Sequence, residues 1–256
     1  MCELKRRQNQ TVHPQARHYL SLNKYIMHPK RNNLQQKFDM KPKIKSLFFV
    51  ILMFLTYWLG LTFFVVLPFL LGYSFTLCNH VGRLVFLIPF LYILFKKTNI
   101  NIVSSETAYK SSGFPWLRLL CIGIALAIMA LVYYNLFNPN PSVQEKTNET
   151  VVEMIVGVIS LILLSPITEE LLFRKWMISY LERANIKPVY ILAITSFLFF
   201  IPHTNFLAGY FRFDILLFGA VQYCIYRKYR DVRYCMFVHC INNLIITSIN
   251  MASQYM

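Results

Sequence analysis

In this chain of 256 residues, 56% are hydrophobic, 16% are aromatic and only 14% are charged, and the mean hydropathy is positive. That balance excludes an ordinary soluble domain, which needs more polar surface, and points to one polytopic membrane domain. The formal net charge of +15 does not imply nucleic acid, because the basic residues lie in an N-terminal tail and in short spacers between apolar runs, the pattern of cytoplasmic loops beside anionic lipid head groups.

Residues 1–45 carry eleven Lys or Arg against Glu3 and Asp39, with no apolar run long enough to span a bilayer, and read as a basic cytoplasmic tail. Met40, followed by KPKIK, is a candidate alternative start, and no signal-peptide cleavage site follows the first apolar run. Residues 46–256 read as an all-α transmembrane helical bundle of about seven spans, six to eight. The segments are Ser46–Gly72, Arg83–Phe95, Trp116–Phe137, Val151–Leu172, Val189–Phe206, Asp214–Tyr226 and Tyr234–Asn250, the second extensible toward Phe75 and the sixth toward Gly209. Basic clusters fall in alternate loops: the tail, Lys96–Lys97 with Lys110, Arg174–Lys175 with Arg183 and Lys187, and Arg227, Lys228, Arg230 and Arg233. Placing all of them inside puts the N-terminus in the cytoplasm of a multi-pass cell-membrane protein, the C-terminus outside, and Asn138–Thr150 in an external loop. The six cysteines form no CxxC pair, and no Gly-rich phosphate loop, GxSxG or HExxH occurs.

The stretch SPITEELLFRKW, Ser165–Trp176, places charge at the end of an apolar run. On a helix Glu169 and Glu170 diverge by about 100°, whereas Glu170 and Arg174 share a face and can pair. That pairing leaves Glu169 to point into a cavity, where a carboxylate in low dielectric suits acid–base work. The plainer reading makes EE and RK an interfacial helix end with snorkelling side chains. His203 closes the run ITSFLFFIPH, and His239 and Asn243 lie four apart on one helix face in CMFVHCINNLI. A glutamate, two histidines and an asparagine supply a base, its orienter and neutral donors for a developing oxyanion, the parts that hydrolyse an amide with activated water.

In these residues the chain resembles the CPBP family, the CAAX prenyl protease and bacteriocin-processing membrane proteins also called Abi proteins. EExxxR is met by Glu169, Glu170 and Arg174, FxxxH by Phe199 and His203, and HxxxN by His239 and Asn243, in family order within about 151–250. The resemblance implies a helical intramembrane protease in which Glu169 and His203 activate water, His239 and Asn243 form the oxyanion site, and Glu170, Arg174 and Phe199 support them. It implies no metal. The residues themselves leave open zinc held by Glu169, His203 and His239, although the HExxH spacing is missing. Also open is a non-proteolytic bacteriocin immunity or membrane scaffold protein whose polar residues serve as interhelical contacts. The expected partners are a membrane-associated peptide or protein substrate and anionic lipids at the basic loops, with no nucleic acid. Counted from Arg174–Lys175 as a cytoplasmic edge, Glu169 is expected to sit shallow and His203 deeper, with Pro166 and Pro202 breaking or kinking their helices.

Overall fold

The computed structural model describes residues 40–73, 75–98, 115–137, 150–204 and 211–255. Residues 1–39 of the basic tail and most of the Asn138–Thr150 loop lie outside the described residues. Seven helices and no strand element occur among the described residues. They are α1 (Met40–Leu70), α2 (Phe75–Thr98), α3 (Trp116–Phe137), α4 (Val151–Arg183), α5 (Pro188–Phe200), α6 (Phe213–Tyr229) and α7 (Val232–Tyr255). Helices α1, α3, α4 and α7 are long and apolar enough to cross a membrane, and α2 and α5 contribute the shorter apolar stretches Val81–Ile93 and Pro188–His203.

The helix ends follow from local sequence. Gly72 (φ +93°) ends α1 in a Schellman motif, its N–H donating to Phe69 O at 3.0 Å and that of Tyr73 to Pro68 O at 3.3 Å. Thr150 and Glu153 form a reciprocal capping box at the start of α4. Asn185 (φ +54°) closes α4 with the same bonding as Gly72, through Asn185 N–H to Glu182 O and Ile186 N–H to Leu181 O, and Pro188 then opens α5 at its first position. Arg230 (φ +54°) ends α6 in a left-handed turn, and the Asp231 carboxylate accepts the Arg233 N–H as α7 begins.

The polarity is inverted relative to a soluble protein. Phe48, Leu59, Tyr92, Leu117 and Val189 are exposed, whereas Glu169, Glu170, Arg174, Gln222, His239 and Asn242 are buried. In a bilayer the apolar exterior faces lipid, and the polar groups must find one another inside. Helix α5 packs against α6, and α3 against α7. A Cβ on Gly219 would stand 3.1 Å from the Ser196 backbone, so glycine permits the close approach of α6 to α5. At one end of the bundle Glu182 pairs with Arg227 and Arg230, each at 2.8 Å, which gathers the basic residues after α4 and α6 on the same side.

Two expectations are corrected. The fourth span does not stop at Leu172 but continues to Arg183. Arg174 and Lys175 are buried rather than interfacial: Arg174 is neutralised by Glu170, and Lys175 lies in electrostatic range of Asp231. Hydropathy cannot register such internal pairing, so it ends the span just before Arg174 and Lys175. Moving the edge to Arg183 also removes the expected mismatch in depth, because Glu169 and His203 then each lie about 20 Å along their helices from that end, at about 1.5 Å per residue.

Candidate active site

Helix α4 is not uniform. It widens into a π-helical segment at Ile159–Leu164, returns to α-helix at Ser165–Glu170 and widens again at Leu171–Met177. In the first π segment the Ser165 N–H reaches back five residues to Ser160 O. Pro166 comes next and has no N–H, so the ladder cannot continue in that register to Leu161 O. The Asn243 side chain of α7 takes the place of the missing donor, its Nδ2 lying 3.0 Å from Leu161 O. The expected disturbance at Pro166 is therefore real, and its orphaned carbonyl docks a motif residue of another helix.

The two carboxylates carried by α4 have different surroundings. Glu170 is fully buried, with Oε2 3.1 Å from Arg174 Nε and Oε1 2.8 Å from His239 Nδ1. A carboxylate accepts, so the His239 Nδ1–H donates and the other ring nitrogen is turned away from Glu170. That nitrogen, Nε2, faces Glu169 Oε2 at 3.9 Å, too far for a direct hydrogen bond and near enough for a small molecule to touch both. Glu169 Oε1 is held from the opposite direction by Ser165 Oγ at 2.6 Å and by the Tyr57 hydroxyl of α1 at 3.4 Å. Glu169 thus has one occupied oxygen and one that looks across a gap to an imidazole.

Phe199 joins the remaining parts. Its ring lies 4.6 Å from the Arg174 guanidinium carbon, 5.1 Å from the His203 ring in a stacked arrangement, and 5.9 Å from His239 edge-on. Phe218 of α6 closes the other side of His239 at 4.8 Å. Arg174 also points Nη2 toward Gly219 O at 3.5 Å, so the glycine that lets α6 approach α5 also presents a carbonyl to the buried guanidinium.

His203 stands in a single 3-10 turn, Ile201–His203, that ends α5 at Pro202, after which Thr204 is extended. Its Nδ1 lies 2.8 Å from Phe199 O. A carbonyl only accepts, so Nδ1 carries the proton, and in the neutral ring Nε2 is left with its lone pair. The side chain is exposed and in electrostatic range of both Glu169 and His239, with no direct hydrogen bond to Glu169 among the described residues.

Every residue singled out from the sequence therefore enters one connected region. Glu170 joins Arg174 to His239, His239 faces Glu169 across the gap, Phe199 packs beside Arg174 and His239, Asn243 is tied to α4 through Leu161, and His203 sits at the margin. Tyr57, Ser165 and Phe218 were not anticipated. Ser165 stands four residues before Glu169, the spacing of a helical neighbour, and was legible. Tyr57 and Phe218 are aromatics among many and carry no such signal. Among the described residues no group of three or more His, Cys, Asp or Glu is disposed to hold a metal ion.

The model of the family described as type II CAAX prenyl endopeptidase Rce1-like matches residues 151–245, a segment that runs from the first residue of α4 into α7 and contains all three motifs. No curated protein and no solved structure matches the chain.

Proposed function

We propose that the chain, whose residues 151–245 match the model of the Rce1-like family, a family of proteases, is an intramembrane endopeptidase in which Glu169 activates water to hydrolyse a peptide bond of a membrane-associated protein or peptide. The observation that carries the reading is the 3.9 Å gap between Glu169 Oε2 and His239 Nε2, with His203 in electrostatic range of both. A water in that gap donates one proton to Glu169 Oε2 as its oxygen attacks the carbonyl carbon. The second hydrogen of the water is oriented by the His203 Nε2 lone pair. The carbonyl π-electrons move onto oxygen, and the oxyanion is met by the second N–H of the Asn243 amide and by His239, whose Nε2 donates there in the doubly protonated ring because Nδ1–H is already given to Glu170. When the C–N bond breaks, Glu169 returns its proton to the leaving amine. Glu170 fixes the His239 ring, and Arg174 balances the charge of Glu170.

This chemistry is assigned to the side chains alone, without a metal ion, so chelation is expected to leave cleavage intact. The family description makes a prenylated CAAX end one substrate to test, and the abundance of apolar surface makes a membrane-bound leader or signalling peptide another. The end of the bundle that carries Arg183, Lys187, Arg227 and Arg230 is assigned to the cytoplasmic face and to anionic lipid. The test uses purified protein in liposomes with a farnesylated CAAX reporter and an unprenylated peptide reporter in parallel. Cleavage by the wild type and its loss in Glu169→Ala at equal protein level is the expected result. No cleavage by the wild type, with reporter binding retained in both Glu169→Ala and His203→Ala, would leave the fold as a binding scaffold, and cleavage retained in both variants would refute Glu169 as the base.

A further inference from the structure

The family match begins at residue 151, yet one side chain from well before it touches the candidate base. Tyr57, in the middle of α1, is buried, and its hydroxyl lies 3.4 Å from Glu169 Oε1. Ser165 Oγ lies 2.6 Å from the same oxygen. Both hydroxyls converge on Oε1, and neither meets Oε2, which faces His239. A carboxylate with two donors on one oxygen has a fixed torsion and one oxygen left for proton transfer.

We propose that Tyr57 and Ser165 are positioning residues, a pair of hydroxyls that clamps Oε1 of Glu169 and reserves Oε2 as the working base, so that α1 completes the catalytic apparatus from outside the Rce1-like segment. The inference rests on Glu169 being the base. The ring of Tyr57 is itself held at 5.4 Å from Phe90 and 6.1 Å from Phe86 of α2, which fixes where its hydroxyl falls. The other ionisable groups around Glu169 are accounted for: Glu170 and Arg174 on α4 are paired, His239 comes from α7, His203 from the end of α5, and Arg83 of α2 acts on Tyr57. None of them donates to Oε1, so the two hydroxyls are the groups whose removal frees that oxygen.

Tyr57→Phe keeps the ring and its packing while removing the donor, and Ser165→Ala removes the closer donor. In the liposome assay each variant is expected to lower kcat with KM nearly unchanged, Ser165→Ala by more than tenfold and Tyr57→Phe by less, in keeping with the usual value of a charge-assisted bond. Because a donor on Oε1 favours the ionised carboxylate, the acidic limb of the pH–rate profile should move to higher pH in Ser165→Ala. Ser165→Thr, which restores a hydroxyl, should recover the profile. A role confined to packing would instead lower thermal stability without moving the profile. Identical profiles for wild type, Tyr57→Phe and Ser165→Ala would overturn the inference while leaving the proteolytic reading intact. An inactive wild type would count against the proteolytic reading. In that case infrared titration of the Glu169 carboxyl, assigned by its loss in Glu169→Gln, still decides: an unchanged midpoint in Ser165→Ala overturns the clamp, and a raised midpoint supports it.

Discussion

One imidazole ring touches the surroundings of two adjacent carboxylates: His239 Nδ1 lies 2.8 Å from Glu170 Oε1, and its Nε2 faces Glu169 Oε2 at 3.9 Å. Neighbouring residues on a helix leave the axis about 100° apart. The ring bridges that divergence with its own two nitrogens, so the orientation set by Glu170 is transmitted to the gap in front of Glu169.

Removing Glu170 strips His239 of its acceptor and Arg174 of its counter-ion together. Glu170→Ala and Arg174→Ala are each expected to cost about 3–5 kcal/mol of stability, since each leaves a buried charge alone. The double variant should cost less than the sum. Thermal unfolding in detergent reads all three, and wild-type melting of both single variants would contradict the pairing.

Asn243 donates one amide N–H to Leu161 O, and the proposed oxyanion role falls to the second. Asn243→Ala should lower kcat by about 10²–10³ with KM nearly unchanged, as for a lost oxyanion donor. Asn243→Asp should keep part of the activity and lose it as pH rises, because a carboxyl donates only while protonated. A rise in KM alone would make Asn243 a binding or packing residue.

Pro166→Ala restores the missing backbone N–H and with it a competitor for Leu161 O. The expected outcome is a protein of normal or higher thermal stability whose turnover falls, by up to about a hundredfold if Asn243 shifts by an ångström. Unchanged turnover would show that the Leu161 contact does not set the position of Asn243.

Deleting residues 1–39 and starting at Met40 should leave insertion and cleavage intact, since the KPKIK flank still carries three lysines ahead of the first span. Topology mapping and the reporter assay check this, and an inverted or inactive product would give the tail a required role.

The helices were largely legible because lipid selects for long apolar runs, and α1, α3 and α7 fall within a few residues of the sequence boundaries. The site was legible where spacing encodes geometry: Glu170 with Arg174, and His239 with Asn243, are both one turn apart. What could not be read is what depends on pairing across helices. Arg174 and Lys175 look like an interfacial flank until Glu170, Phe199 and Asp231 are brought beside them, and nothing in the neighbourhood of Tyr57 distinguishes it from the other tyrosines. Pro166 announces a break, but only the fold shows that Asn243 satisfies the carbonyl it orphans.

The burial of Glu169, Glu170, Arg174 and Lys175 halfway along α4 also bears on how the chain enters its bilayer. Charged residues near the centre of an isolated span are unfavourable by about 2.5–3.5 kcal/mol each, and α4 leaves the ribosome before the helices that supply His239, Phe199 and Gly219. Its apolar first half, Val151–Leu164, can partition at once. The second half gains its partners only when α5, α6 and α7 have been synthesised. The polar centre of the bundle is therefore expected to become stable only once α7 is made, and truncations that end before residue 239 should be less stable in the membrane than the full chain.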